Sequence, residues 1–495
     1  WSGNRWGYCS FIKKIMLKKS LIVMSISAAF FAQAQDISIL RNSIDVYSNT
    51  PMNGSSKFNA MAGSNGALGG DASSLLTNPA GLGVAISGDV SATLSITNNK
   101  NKSTLAGSSI DYNINKVDIG NVGGIAAFQL MSESGWKFVN VGVNFSNQSI
   151  ENYVQTPGNS NIVIQKDLID SNNNPVTGNL TYLGHAYNRY GTKSKMNIGV
   201  GANYENYLYF GAGLNFHYAD VEQWDTAAFG LDLDNSSANY DKQYTPYTEK
   251  SNGFSASFGV IGKVSKELRL GATIETPTWW RMDRIYTEYG LDNQGYMGSG
   301  AYSETVNFRS PMKATVSGAY VPSKNLSFNV DYTLGITRPK YKEEIDADKE
   351  LNNFFKDNYK NLSEVRVGAE YRIKSFRLRG GYSYASSPYD SGTVSAYSNA
   401  GVAGNTNYNN WTLGERNTFG LGLGYDFGAF YIDASYQNIS SKYNNPFLYG
   451  KVISGSPYYS TGYSSSDFDV ANESYAVSEV KNTFNNFFIT LGWKF

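Results

Sequence analysis

The sequence predicts an all-β fold: a transmembrane antiparallel β-barrel of about 14 strands, with an N-terminal hatch plugging the lumen. Three observations carry this expectation. An export signal stands near the start, segments of alternating hydrophobicity about ten residues long follow, and the connections between them alternate short and long.

The export signal comes first. Met16 opens a short basic stretch with Lys18 and Lys19, an apolar run extends from Leu21 to Ala32, and Ala32-Gln33-Ala34 offers small residues where a signal peptidase reads. The apolar run is too short to span a bilayer, although a short N-terminal anchor is the alternative reading. Residues 1–34 are thus expected to be upstream residues and signal peptide, 35–87 a hatch, and 88–495 the barrel. Removing 1–34 takes away Arg5, Lys13, Lys14, Lys18 and Lys19, leaving 36 basic residues against 41 acidic ones. A net charge of −5 carries no nucleic-acid footprint. The sole cysteine, Cys9, goes with the signal, so neither disulfides nor a thiolate are expected in the exported chain.

Composition narrows the class. There are 50 glycines, 37 tyrosines and 26 phenylalanines but 12 prolines, and mean hydropathy is negative. No run of eighteen apolar residues follows the signal, which excludes helical membrane spans. A barrel strand needs only one apolar face, and this composition suits it.

Fourteen candidate strands follow, at 88–98, 120–131, 136–147, 196–204, 206–219, 252–264, 267–276, 311–320, 325–337, 362–372, 376–385, 416–427, 429–439 and 484–495. In the last, Phe487, Ile489, Leu491, Trp493 and Phe495 alternate with Phe488, Thr490, Gly492 and Lys494. Short connections at Ser132–Gly135, Glu205, Ser265–Lys266, Pro322–Lys324, Ile373–Ser375 and Gly428 alternate with long ones. Short turns on one side and long loops on the other are the pattern of an outer-membrane barrel, with both termini on the periplasmic side. The terminal Phe495 and nearby Trp493 resemble the strand by which the barrel assembly machinery recognises its substrates. Their rings would join an aromatic girdle among outer-membrane lipid.

A barrel of this size leaks unless something fills it. Gly199, Gly201, Gly211, Gly213, Gly420, Gly422 and Gly424 face inward on this register and leave room. The glycine- and alanine-rich segment 36–87 is the candidate filler, with a short helix expected at Ala72–Leu76 capped by Asp71.

Within it, Phe58-Asn59-Ala60-Met61-Ala62-Gly63, Gly66-Ala67-Leu68-Gly69-Gly70-Asp71 and Asn78-Pro79-Ala80-Gly81-Leu82 resemble the hatch of the FadL/TodX family, in its Bacteroidetes wording. That resemblance implies an outer-membrane transporter passing hydrophobic small molecules such as long-chain fatty acids by diffusion through a hatch-gated barrel. Gly69, Gly70, Asp71, Asn78, Pro79 and Ala80 would be its hatch motif. It also implies lateral exit beside a kinked third strand, but 136–147 holds no proline to make the kink. Some relatives are protein-binding shuttles of type IX secretion, which is the alternative function. A general porin is a third reading, and a hatch argues against it.

Chemistry points away from an enzyme, a cofactor or a metal. Of the two histidines, His185 falls in a long loop and His217 on an inward position, and no motif supplies a partner nucleophile. Asp232-Leu233-Asp234-Asn235 and Asp346-Ala347-Asp348-Lys349-Glu350 are similar to calcium loops but lack the glycine and the distal acid of an EF-hand. In the hairpin 362–385, Val365, Val367 and Tyr371 face lipid, turning Arg366, Glu370, Arg372, Arg377 and Arg379 into the lower lumen. A turn near Lys374 places Glu370 opposite Arg379. These charges either brace the hatch, through Asp71, or receive a ligand carboxylate, with Arg366 or Arg379 as the receiver.

Overall fold

A computed structural model of the chain describes residues 36–49, 51–131, 133–169, 175–233, 236–291, 297–447 and 474–495. The expected signal peptide lies outside them. Fourteen strands form the wall. They are β1 (Asp89–Leu105), β2 (Ser108–Gln129), β3 (Trp136–Ser149), β4 (Pro175–Tyr204), β5 (Leu208–Leu233), β6 (Ser236–Lys263) and β7 (Leu268–Glu275). The second half comprises β8 (Lys313–Ser323), β9 (Leu326–Gly335), β10 (Ser363–Ile373), β11 (Phe376–Ala385), β12 (Arg416–Asp426), β13 (Phe430–Phe447) and β14 (Ala476–Lys494). Each pairs antiparallel with its neighbours, and β14 returns to β1 from Asp89↔Lys494 to Thr104↔Glu479, which closes the barrel. All fourteen expected segments are staves of this wall.

Their alternation produces two faces. Leu94, Phe210, Val330, Leu421 and Ile489 are exposed outward, while Asn140, Asn144, Asn197, Asn215 and Thr490 are buried inward. At the short-turn end Phe376, Phe427, Phe430, Trp493 and Phe495 project outward as an aromatic girdle. Positive φ at Glu205, Asn206, Lys374 and Gly428 makes the tight reversals there.

The strands run further at the other end than the hydrophobic pattern indicates. β4 occupies 30 residues where 196–204 were expected, and the connection 99–119 is the continuation of the β1–β2 hairpin to a turn at Ala106–Gly107. Outward residues there are Asn98, Lys100 and Lys102, so beyond the apolar belt the backbone keeps pairing after the period-two signal has stopped. Extra strands, Asn152–Ile169, Trp279–Leu291 and Met297–Arg309 among them, build on this extension.

The connection after β9 contains helix α3 (Asp346–Asn358), introduced after α1 (Asp36–Asp45) and α2 (Ser56–Ala60) of the N-terminal segment. Asp348 accepts hydrogen bonds from the backbone N–H of Glu344 and Ile345 at 3.0 and 3.1 Å. The acidic run that is similar to a calcium loop is therefore a capped helix start, stabilised by the dipole. In the other acidic run, Asp234 and Asn235 lie outside the described residues.

The N-terminal segment threads the lumen. Ile39, Leu40 and Ile44 of α1 cluster with Leu351, Phe354 and Tyr389 at the long-connection end. From there the chain descends through α2 and two 3-10 turns, Ala72–Leu76 and Pro79–Val84, to Gly88 beside Phe495. Asp36 and Phe495 thus lie at opposite ends of the barrel. The expectation that both termini share the short-turn end does not hold for the first described residue, because the hatch runs the length of the lumen. The expected helix Ala72–Leu76 is a 3-10 turn, and Asp71 precedes it without a side-chain capping bond. Its carboxylate instead pairs with Lys57 at 2.8 Å.

Candidate ligand path through the lumen

The hatch is held by its own motif. Asn78 caps the second 3-10 turn, accepting from Ala80 N–H at 3.0 Å, and its amide donates to the Gly66 carbonyl at 2.8 Å and to Val260 of the wall at 3.3 Å. Pro79 at the first helical position needs no N–H partner. Gly69 and Gly70 have φ of 65° and 91°, and Gly70 N–H reaches the Gly81 carbonyl at 2.9 Å. Ala80 is fully buried. Wall side chains grip the remaining backbone. Asp331 accepts from the N–H groups of Asn65 and Gly66, and Asn140 donates to the carbonyls of Leu82 and Ala85 at 2.7 and 2.8 Å.

Glycines make the seat. Three transverse rows cross neighbouring strands: Gly142, Gly199 and Gly213; Gly201, Gly211 and Gly259; Gly368, Gly381 and Gly420. A Cβ at Gly199 would enter Leu75, at Gly211 Pro79 and Ala80, at Gly381 Met61, and at Gly420 Ala60. Gly424 differs from the other expected seats, since it faces Asp433 rather than the hatch.

The hatch divides the expected arginine patch into two levels. Below it, Arg379 Nε donates to Glu370 at 2.6 Å and its other arm lies 2.8 Å from Asp433. Arg372 shares Glu370 at 2.6 Å, and Arg377 and Lys494 both meet Asp426. Glu370, Arg372, Arg377, Asp433 and Lys494 border an open vestibule of about 550 Å3 with Lys57 and Asp71. Asp71 does not touch the arginines.

Above the hatch lies Arg366, 2.5 Å from Glu364. It shares a cavity of about 140 Å3 with Lys195, Glu275, Lys313 and Arg416, none of which the sequence reading singled out. Lys195 pairs with Glu275 at 2.9 Å and Arg416 with Glu364 at 3.3 Å. Lys193, Lys313 and Arg416 also clamp the link leaving α1, donating to the carbonyls of Val46, Ser48 and Asn49 at 2.5, 2.7 and 2.8 Å. Lys193 and Lys195 keep the inward parity of β4. Placing the strand start at 196 left both in a loop, though extending the alternation by three residues finds them.

A second cavity of about 120 Å3 adjoins this one on the α1 side. Ile44, Ile150, Leu362, Leu413, Ile439 and Phe484 give it apolar walls, and Asp45 with Arg189 closes one side. The wall is also interrupted. Pairing of β2 with β3 ends at Asn121↔Ser146, while β2 continues to Ser108 along β1 alone. Residues 151–153 fill the space beside it, with Glu151 on Lys116 at 2.7 Å and Tyr153 stacked on Tyr112.

His217 is buried inward, its Nε2 3.0 Å from Ser255 Oγ. The acid nearby, Glu275, sits 3.4 Å from the serine, and His217 Nδ1 has no partner among the described residues. A hydrolytic triad needs the acid on that nitrogen to orient the ring. His185 stacks on Phe447 at 3.8 Å and lies 3.5 Å from Asp225.

No protein-family model and no curated protein sequence matches the chain. Solved structures do. A Pseudomonas aeruginosa FadL homologue aligns with a TM-score of 0.53 and 12% identity over 90% of this chain and 98% of its own. The Pseudomonas putida toluene transporter TodX gives 0.52 at 13% identity, covering 90% and 99%. The chain has a FadL/TodX-type fold. At this identity the likeness to FadL and TodX is one of fold, and the site residues rest on the geometry above.

Proposed function

We propose that this protein is exported to the outer membrane and transports hydrophobic compounds across it, with an amphipathic molecule such as a long-chain fatty acid as ligand. The observation that carries this reading is the pair of adjoining cavities above the hatch, one walled by aliphatic and aromatic side chains, the other by Lys195, Lys313, Arg366 and Arg416 against Glu275 and Glu364. An apolar chain fits the first and an anionic head the second. Arg379 is a poorer receiver, being already paired with Glu370 and Asp433 below the hatch. Both cavities are smaller than the roughly 300–1,000 Å3 of a pocket enclosing a drug-sized ligand. Entry of a long chain therefore requires the link at 46–52 to shift. The break between β2 and β3 is the natural lateral exit. The FadL and TodX structures support this reading through their shared fold.

Mass spectrometry of protein extracted in mild detergent tests it. A co-purifying lipid or other hydrophobe is the expected result. A bound protein with no lipid would overturn it in favour of the secretion-shuttle reading.

A further inference from the structure

Four adjacent strands carry an unusual set of side chains on the outer face of the wall, just beyond the apolar belt. Tyr436, Phe487, Ile96 and Val117 form the last apolar row across β13, β14, β1 and β2. The next outward row is Asn438, Asn485, Asn98 and Asn115, four asparagines directly opposite one another. Their amides are linked at 2.9, 3.3 and 2.7 Å, and Tyr436 Oη donates to Asn485 at 2.8 Å.

Lysines follow. Lys100 stands one row further, and Lys442, Lys481 and Lys102 face each other in the row after that. Like charges directly opposite across strands repel. Two acids temper the patch: Glu479 pairs with Lys442 at 2.6 Å and Asp111 with Lys100 at 3.7 Å. Among the described residues Lys102 and Lys481 have no acid within ion-pair distance, so the patch is net positive.

Below the asparagines the outer wall is recessed. Ala434 makes the floor of a groove of about 720 Å3 bordered by Ile96, Leu421, Leu423, Tyr436 and Phe487. Groove, asparagine ladder and lysine row follow in that order along β13, β14 and β1, the groove extending to β12. With about 3.4 Å per residue and a tilt near 40°, Lys100 stands roughly 10 Å and Lys102 roughly 15 Å above Ile96. Headgroup regions add only about 5–8 Å to each side of the hydrocarbon. The lysines therefore stand at and beyond the level of a simple phospholipid head, where a larger sugar head group carries its polar groups.

We propose that this face binds a phosphorylated glycolipid of the surrounding leaflet, with an acyl chain in the groove over Ala434, sugar hydroxyls on the asparagine ladder and phosphates on Lys102, Lys442 and Lys481. The site lies on the opposite side of the wall from the lumen cavities and goes beyond the transport reading. It rests on the proposed placement in the outer membrane, with the long-connection end in the outer leaflet.

The test uses the full-length folded protein in detergent, with lipid binding followed by native mass spectrometry. The probes are bisphosphorylated lipid A, its dephosphorylated form, phosphatidylglycerol and inorganic phosphate. A basic residue near an anionic lipid surface is worth about fivefold in affinity, so Lys102→Gln, Lys442→Gln and Lys481→Gln together should weaken bisphosphorylated lipid A about a hundredfold. Dephosphorylated lipid A should bind comparably weakly to the wild type. Ala434→Trp, which fills the groove, should weaken both lipid A forms and leave the charge dependence intact. Equal binding of wild type and triple variant, or of the two lipid A forms, would overturn the proposal. Phosphatidylglycerol binding as tightly as lipid A, or free phosphate competing at equal concentration, would overturn the glycolipid assignment. If the triple variant loses its heat-modifiable band, Lys481→Gln alone should still cost about fivefold, and an unchanged affinity there has the same meaning. Loss of heat-modifiability in the wild type would fault the barrel itself, a result separate from these.

Discussion

Glu370 and Arg379 lie directly opposite each other on the β10–β11 hairpin, and Arg379 Nε donates to Glu370 Oε2 at 2.6 Å beneath the hatch. Both are buried, and Asp433 takes the second arm of the guanidinium. Removing one partner of such a pair strands a buried charge and costs about 3–5 kcal/mol. Arg379→Gln leaves buried Glu370 and Asp433 without their shared cation and should lower the urea midpoint of the folded barrel in micelles. Adding Glu370→Gln should recover part of that loss. An additive double variant would show that the two residues do not act as a unit.

Glycine rows predict a leak. Gly420→Val pushes a side chain into Ala60, and Gly211→Val pushes one into Pro79. Each should raise conductance in planar bilayers toward that of a barrel lacking residues 36–87. Valine at Gly380, which faces outward near Leu421, is the control and should leave the barrel closed. Unchanged conductance in all of them would mean that this segment does not block the lumen.

Asn78 joins three parts of the hatch and the wall through one side chain. Asn78→Ala leaves the Ala80 N–H and the Gly66 carbonyl without their partners, a loss of about 1–3 kcal/mol for each buried group left unsatisfied. Faster proteolysis between residues 51 and 88, with an intact barrel fragment, is the expected outcome.

The head-group site proposed above the hatch is tested through its charges. Lys313→Gln with Arg366→Gln should reduce affinity for a fluorescent fatty acid by about tenfold to a hundredfold, given about 1.5–3 kcal/mol for a hydrogen bond to a charged group. Affinity for the corresponding fatty alcohol should hold. If both ligands are unaffected while the pore leaks, these residues serve only to retain the link at 46–49.

The last strand closes the barrel against the first. Phe495 exchanges backbone hydrogen bonds with Gly88 at 2.9 and 3.1 Å, and its ring covers that glycine. Deleting Phe495, or replacing Trp493 and Phe495 with Ser, should deplete the heat-modifiable band from outer membranes.

The membrane-facing wall was legible because lipid demands a strict period of two, and Leu491 or Val330 cannot face the lumen without turning every neighbour around. A turn near Lys374 placed Glu370 opposite Arg379. Neither could place Arg366 on the far side of the hatch, since nothing local to β10 indicates that Met61 wedges against Gly368 and Gly381 two and more residues away. Helices α1 and α3 escaped because each buries only a few apolar residues, such as Ile39, Leu40 and Ile44, against partners remote in sequence. Lys193 and Lys195 were hidden by a strand start drawn where the apolar face ends rather than where the ladder ends.

The transverse glycine rows have a consequence for exchange between barrels. A hatch and the wall that receives it are complementary at close contact, the rows meeting hatch backbone at Ala60, Met61 and Pro79 and the side chains of Met61, Leu75 and Leu82. Grafting residues 51–87 into another barrel should therefore fail, even where length and charge agree, unless the rows at 142, 199 and 213, at 201, 211 and 259, and at 368, 381 and 420 travel with it. The two act as one packed part, although about 360 residues of chain separate Ala60 from Gly420.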